Sequence, residues 1–185
     1  ILKGGPGTGK STLMKRVAEK LERQGYYVER GFCSADPNSL DIVLVPEINF
    51  SILDGTAPHT IDPTLPGVTE HIVDLSVAWN KSLLKAHTKE IAELSKANSL
   101  QHRKCTEFLN VASQFEKESV SVCLGFTDED KLLRYTKRLA NRLIPERKAS
   151  EKGKISKRFL SAISPDGITV QHDTIVALSE KIITV

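Results

Sequence analysis

The stretch GGPGTGKST, from Gly4 to Thr12, decides the fold that this chain is expected to adopt. It fits the phosphate-binding pattern GxxxxGK[ST], with Lys10 and Ser11 as its terminal pair. Glycine takes positive φ readily, so a glycine-rich backbone can turn its N–H groups inward as a nest for anionic oxygens. The glycines expected to take positive φ are Gly4, Gly5, Gly7 and Gly9. The pattern therefore predicts a loop that binds the phosphates of a nucleotide.

Individual positions of this loop have separate expected roles. Lys10 supplies a point charge for the β and γ phosphates, and the Ser11 hydroxyl is the expected Mg²⁺ ligand. Pro6 stiffens the loop, and Thr12 is expected near the α-phosphate at the start of a helix. The residues expected to bind the nucleotide are Gly5, Pro6, Gly7, Thr8, Gly9, Lys10, Ser11 and Thr12.

The loop pattern requires a strand before it and a helix after it. Apolar residues recur at helical spacing from Leu13 to Leu21, and Gly25 is placed to end that helix. Residues 1–3 alone precede the loop, whereas a strand of about five or six residues is normal. We therefore expect the chain to begin inside its own first strand.

Strand-like runs follow the helix at residues 26–33, 42–45 and 48–53. The last run ends at Asp54, because Gly55 and Pro58 prevent a regular continuation. This alternation is typical of an α/β core with a parallel sheet flanked by helices. In such a core the acid at the tip of a later strand lies beside the loop, so Asp54 is expected to share the Mg²⁺ with Ser11. A cap after a buried strand is the alternative interpretation of Asp54.

The candidate catalytic residues are Lys10, Asp54 and His59. His59 either orders the γ-phosphate or a water molecule, or is a hydrogen-bonded loop histidine. Many ATPases place a glutamate directly after the strand-end aspartate to activate the attacking water, but Gly55 stands at that position here. The sequence therefore predicts slow hydrolysis.

The expected segments are a nucleotide-binding core (1–66), a helical insertion or hairpin (67–145), a polar linker (146–157) and a β-hairpin with a further strand (158–185). Helical periodicity extends from about Glu70 to Ile144. Thr127 and Asp128 are placed as the cap of the last helix. The β-hairpin is expected to turn at residues 165–167, and the further strand to occupy residues 182–185.

Other side chains each have a functional and a structural interpretation. Cys33, Ser34 and Asp36 follow the second strand, where they either contact a substrate or form a turn held by polar side chains. Three arginines recur every four residues along the last predicted helix: Arg134, Arg138 and Arg142. They either reach over a bound triphosphate or form a solvated face. Trp79 is expected in the core, at the base of the helical region.

Composition limits the function classes. The chain has 185 residues and a net charge of +3, which is too small to predict nucleic-acid binding. It has no run of about 18 apolar residues, so no membrane span is expected. Its three cysteines lack metal-ligand spacing, and no signal peptide is visible. We therefore expect reduced thiols in a cytoplasmic protein.

Three segments in order carry a family resemblance: ILKGGPGTGKSTLMK, CSADPNSLD and ILDGTAPHTIDPTLPGV. They resemble an uncharacterised family of bacterial P-loop ATPases in which two P-loop domains lie in tandem. The resemblance is close from Ile1 to about Trp79 and visible again in RFLSAISPDGI. It implies ATP binding, and it implies that Phe159–Val185 leads into a second P-loop domain. The ILDG segment also resembles the ILDGFPR-type segment of adenylate kinases, whose arginine is replaced here by His59.

The expected function is that of a Mg-ATP-binding P-loop NTPase, a slow ATPase whose nucleotide state controls the helical region or a partner. The alternative is a phosphotransferase, a kinase that acts on a nucleotide or another small molecule. The modest charge counts against a nucleic-acid-stimulated motor. ATP is favoured over GTP because the sequence has no NKxD-type guanine-reading motif.

Overall fold

A computed structural model describes residues 1–57, 60–144, 153 and 155–179 of the chain. Its elements are β1 (Leu2–Lys3), α1 (Lys10–Arg23), β2 (Glu29–Phe32), β3 (Leu40–Val45), β4 (Phe50–Leu53), β5 (Val73–Asp74), α2 (Lys81–Ala86), α3 (Thr88–Gly125), α4 (Glu129–Leu143), β6 (Ser161–Ser164), β7 (Gly167–Val170) and α5 (His172–Leu178). Two short 3-10 helices occupy Pro46–Ile48 and Leu75–Ala78. The chain divides into two compact units, Ile1–Lys81 with Ser156–Val185, and Ser82–Ile155.

The core of the first unit lies between α1 and β3. Met14 and Ala18, one helical turn apart on α1, are fully buried and belong to one apolar cluster with Val43 on β3 and Leu2 on β1. Packing of α1 on β3 fixes the direction in which the helix leaves the loop. The predicted glycine stop is confirmed, since Gly25 follows the helix with a φ of 86°.

Strand β1 leads directly into the glycine-rich loop, which therefore begins at the carboxyl end of this strand. It pairs in parallel with β5, with Leu2 opposite Val73, and Leu2 also forms a parallel bridge to Asp54 at the end of β4. The Gly55 N–H donates to the Leu2 carbonyl at 2.9 Å. The carboxyl ends of these parallel segments therefore meet where the loop begins.

Strands β2, β3 and β4 form an antiparallel sheet, which corrects the expectation of a parallel sheet through these strands. Only residues 46–49 separate β3 from β4, and they form a 3-10 turn that ends with Asn49 at a φ of 50°. A parallel neighbour needs a crossover of about a dozen residues or more, so β4 must reverse along β3. The mixed helix-and-strand class is confirmed, and a small parallel pair, β1 with β5, is present.

The prediction of helix from about Glu70 is wrong for residues 70–80. Strand β5 and the 3-10 helix Leu75–Ala78 lie there instead, because the backbone at Val73 pairs with β1. Within this stretch the Val73 N–H donates to the Ile1 carbonyl at 2.9 Å. Local helical periodicity is here overridden by a strand pairing with residues about 70 positions away, which no local pattern reveals.

Helices dominate the second unit. Helix α3 has 38 residues, none of which is buried. The predicted cap of α4 is confirmed, because the Asp128 side chain accepts a hydrogen bond from Lys131 N at 2.8 Å. No helix in the described ranges is both long and apolar enough to cross a membrane.

The predicted β-hairpin near the end of the chain is confirmed. Strands β6 and β7 pair in antiparallel fashion, with Ser164 opposite Gly167 around a two-residue turn. Arg158, just before the hairpin, forms a two-point ion pair with Glu29 on β2, at 3.0 and 2.8 Å. That ion pair raises the pKa of Arg158. The predicted strand at 182–185 and most of the predicted linker lie outside the described residues.

Candidate functional site

The glycine-rich loop leaves the first amides of α1 without helical acceptors. Gly7 and Gly9 take positive φ, 75° and 84°, and Gly9 is the residue that precedes the helix. The first bond that closes α1 runs from Leu13 N to the Gly9 carbonyl at 2.9 Å. No side chain caps this helix end, and its first turn contains no acid. Such an end offers N–H groups and a positive partial charge to an anion.

Gly5 is needed for space and not for a positive φ, which corrects its expected role. Gly4, Gly7 and Gly9 have positive φ, whereas Gly5 does not. A Cβ on Gly5 would lie 2.8 Å from Cζ2 of Trp79, closer than carbon atoms can approach without displacement. The indole of Trp79 therefore rests against the loop. The prediction that Trp79 lies in the core is wrong.

Lys10 folds back over its own loop. Its Nζ donates to the Gly4 carbonyl at 2.6 Å and to the Gly5 carbonyl at 3.0 Å. Its third neighbour is Oδ2 of Asp54 at 3.6 Å. The Lys10 side chain is only 12% exposed, so this ammonium is held at the loop by neutral carbonyls and one carboxylate. Phosphate oxygens, which carry full charge, are stronger acceptors than these carbonyls.

Asp54 is fixed beside the loop by Thr56. Its Oδ1 accepts a hydrogen bond from Thr56 N at 2.8 Å, and the Thr56 hydroxyl donates to the Gly4 carbonyl at 2.9 Å. Lys10 and Thr56 thus both bind the Gly4 carbonyl, and Asp54 contacts both of them. The sequence reasoning singled out Lys10 and Asp54, which the structure brings together, but it missed Thr56. The local signal for Thr56 is a hydroxyl two residues after a strand-end acid.

Ser11 has capacity left for a further ligand. Its Oγ accepts a hydrogen bond from Leu40 N at 2.9 Å, which uses one of the two lone pairs of the hydroxyl. Thr8 turns inward and donates to the Gly5 carbonyl at 2.8 Å. Thr12 is exposed in the first turn of α1, and Pro6 is exposed in the loop.

A serine hydroxyl and a single carboxylate are oxygen donors of the kind that Mg²⁺ uses when phosphates and waters supply its other ligands. Among residues 1–57, 60–144, 153 and 155–179, no three His, Cys, Asp or Glu side chains converge as metal ligands. Mg²⁺ is usually bound by one or two protein oxygens together with substrate phosphates and waters. Ser11 Oγ, in the first turn of α1, and the Asp54 carboxylate, 3.6 Å from Lys10 Nζ, are the oxygens that would hold such an ion.

Lys3 anchors the loop that follows Asp54. Its Nζ donates to the carbonyls of Gly55 and Ile61, both at 2.8 Å, and to Oδ1 of Asp62 at 3.0 Å. The segment that contains His59 is therefore tied at both ends to the strand that enters the glycine-rich loop. His59 itself lies outside the described residues.

The turn after β2 is organised by its own side chains. Oδ1 of Asp36 accepts a hydrogen bond from Asn38 N at 3.0 Å, and the Asp36 carbonyl accepts one from Ser39 N at 2.8 Å. This contact supports the structural interpretation of Asp36. Cys33 is half-buried and Ser34 is exposed. The three arginines at 134, 138 and 142 are exposed on α4, in the second unit.

Comparison with known proteins gives no independent identification. No protein-family model, no curated protein and no solved structure matches this chain. The chemistry open to this site therefore depends on the loop, Lys10 and Asp54 themselves.

Proposed function

We propose that this chain binds the Mg²⁺ complex of a nucleoside triphosphate in the Gly4–Thr12 loop and hydrolyses it slowly, as a P-loop NTPase would. The observation that carries the proposal is the position of Lys10. Its ammonium is bound to two loop carbonyls, at 2.6 and 3.0 Å, and the helix that begins at Lys10 has no side-chain cap. A triphosphate offers this ammonium stronger acceptors and also fills the open amides.

In this proposal the chain supplies positioning and charge. The amides at the start of α1 and the Lys10 ammonium stabilise the charge that develops on the transferring phosphoryl group. Ser11 and Asp54 would hold Mg²⁺, which would neutralise part of the phosphate charge when bound. Asp54 is followed by Gly55 and Thr56, which cannot act as general bases, so turnover is expected to be slow. ATP is the preferred nucleotide, since the chain has no guanine-reading NKxD motif.

Phosphoryl transfer to a small molecule is the second candidate. It is favoured by the ILDG segment, Ile52–Gly55, at the strand end beside the loop, which resembles the corresponding segment of adenylate kinases. An acceptor would have to reach the γ-phosphate of the bound nucleotide. In either case the nucleotide state is proposed to control the helical region or a partner.

The test is release of ADP from Mg-ATP by the chain, with and without pooled small-molecule acceptors. The hydrolase proposal predicts slow release that no acceptor pool changes and that is lost in Lys10→Ala. Lys20→Ala is the matched control, since it removes the same charge from an exposed position near the far end of the same helix. A burst of ADP with one acceptor pool would make the protein a kinase. Equal release from Lys10→Ala and the unaltered chain would refute both.

A further inference from the structure

The only tryptophan of the chain lies against the glycine-rich loop. A Cβ on Gly5 would be 2.8 Å from Cζ2 and 3.0 Å from Cη2 of Trp79, so the far edge of the indole rests on the Gly5 backbone. Trp79 remains 39% exposed. An indole in this position covers one loop residue and is still open to solvent, which is unlike a core tryptophan.

Trp79 is held there by the strand that enters the loop. Strand β5 pairs with β1, with Lys3 opposite Asp74. The Asp74 side chain accepts a hydrogen bond from Ser76 N at 2.8 Å and so caps the 3-10 helix Leu75–Ala78. Trp79 N then donates to the Ser76 carbonyl at 3.0 Å. We call residues 73–79 the Trp79 segment; both it and the loop are anchored on β1.

The Trp79 segment also approaches the first glycine of the loop. A Cβ on Gly4 would lie 3.4 Å from Cβ of Leu75, which is ordinary van der Waals contact. Gly4 and Gly5 are also the two residues whose carbonyls bind Lys10 Nζ. The same two residues thus accept hydrogen bonds from the Lys10 ammonium, which a polyphosphate would attract, and lie beside Leu75 and Trp79, whose side chains carry no charge.

We propose that Trp79 is a positioning residue that keeps Gly5 in its binding conformation when Lys10 turns from the loop carbonyls to a polyphosphate. This inference rests on the proposed function. When Lys10 leaves, the carbonyls of Gly4 and Gly5 lose charge-assisted bonds, and a glycine-rich segment gains conformational freedom that opposes binding. The indole restricts that freedom because it blocks displacement of Gly5. The surroundings of the indole change when Lys10 moves to the polyphosphate.

The test measures the dissociation constants of Mg-ATP and of Mg-bound inorganic triphosphate for a set of variants of the chain. Trp79→Ala is expected to weaken both by about fivefold to tenfold, and Trp79→Phe, which keeps an aromatic ring, recovers part of the loss. Val77→Ala is the matched control, because Val77 lies in the 3-10 helix Leu75–Ala78 and is 80% exposed. It should bind as the unaltered chain does.

A double-variant cycle separates contact from general destabilisation. Gly5→Ala places a methyl group against the indole, so it should weaken binding strongly in the unaltered background and much less in Trp79→Ala. Additive losses would overturn the inference. Binding by the unaltered chain together with unchanged binding by Trp79→Ala would also overturn it, and would leave the proposed function standing. Failure of the unaltered chain to bind either ligand would overturn both.

Fluorescence gives a second measurement that requires no substitution. Because Trp79 is the single tryptophan, indole emission reports on this contact alone. The inference predicts a saturable change in emission with the same dissociation constant as nucleotide binding. Should Trp79→Ala fail to fold, this titration decides the matter: binding without any change in emission would overturn the inference.

Discussion

At the scale of single residues, the site is a closed set of contacts around the Gly4 carbonyl. Lys10 donates to that carbonyl at 2.6 Å and Thr56 at 2.9 Å. Asp54 lies 3.6 Å from Lys10 and accepts the Thr56 amide at 2.8 Å. Each residue therefore restrains two others, and Thr56 is the one without charge. Its hydroxyl can be removed without altering the electrostatics of the site.

Thr56→Val is predicted to lower the free energy of unfolding by about 0.5–1.5 kcal/mol, because it removes one hydrogen bond and keeps the shape of the side chain. Urea denaturation measures this change. Thr64→Val is the control, since Thr64 is exposed, and it should shift the free energy by less than about 0.5 kcal/mol. Equal effects of the two substitutions would mean that the Thr56 bond to Gly4 contributes nothing.

The sequence predicts part of this residue-scale arrangement. Lys10 and Asp54 follow from a motif and from a strand end, both of which are local signals. Thr56 and the Gly5–Trp79 contact do not, because they depend on the approach of segments far apart in the chain. Gly5 illustrates the difference. A glycine in this loop predicts a positive φ, but Gly5 is needed because a side chain there would collide with the ring of Trp79, 74 positions later.

At the scale of elements, the short 3-10 helix Leu75–Ala78 connects the strand beside β1 to the tryptophan. Its cap is Asp74, whose pKa is lowered by hydrogen bonds from the side chain and backbone of Ser76, with a smaller contribution from Lys81. A carboxyl with a lowered pKa in the folded chain adds stability above the pKa of the unfolded chain, about 3.9. That contribution is lost as the pH falls through the lower, folded value.

The Trp79 segment is therefore predicted to loosen in acid. Indole emission should be constant from pH 7 to about pH 4 and should change below that, as the Asp74 carboxylate takes up a proton. Asp74→Asn keeps an acceptor oxygen but cannot titrate. The difference between the emission profiles of the unaltered chain and this variant isolates Asp74 from other acids. Superimposable profiles would contradict the assignment of the cap.

Elements differ in how far the sequence determines them. Helix α1, the cap at Asp128 and the hairpin turn at 165–167 follow from side chains within a few residues, and all three are found. The antiparallel direction of β4 follows from the short 46–49 connection. The apolar pattern of the strands carries no information about their direction. Strand β5 was missed because two residues that pair with β1 leave no periodic signal.

At the scale of the whole molecule, the buried core belongs to the first unit. In the part of the chain that the structure describes, the fully buried apolar residues are Leu2, Met14, Ala18, Leu40, Val43 and Val45, and all of them lie on β1, α1 and β3. This core fixes the start of α1 against the end of β1, which is what the glycine-rich loop requires. The sequence predicts the apolar face of α1 from Leu13 to Leu21, but not that Met14 would be as fully buried as Ala18.

The central claim is that this loop binds Mg-ATP, and calorimetric titration of the chain with Mg-ATP tests it most directly. We predict saturable binding that Lys20→Ala retains and that Lys10→Ala weakens by at least about tenfold, because one charge-assisted hydrogen bond contributes about 1.5–3 kcal/mol. Circular dichroism must first show that both variants are folded. Absence of binding by the unaltered chain, or equal binding by Lys10→Ala, would contradict the claim.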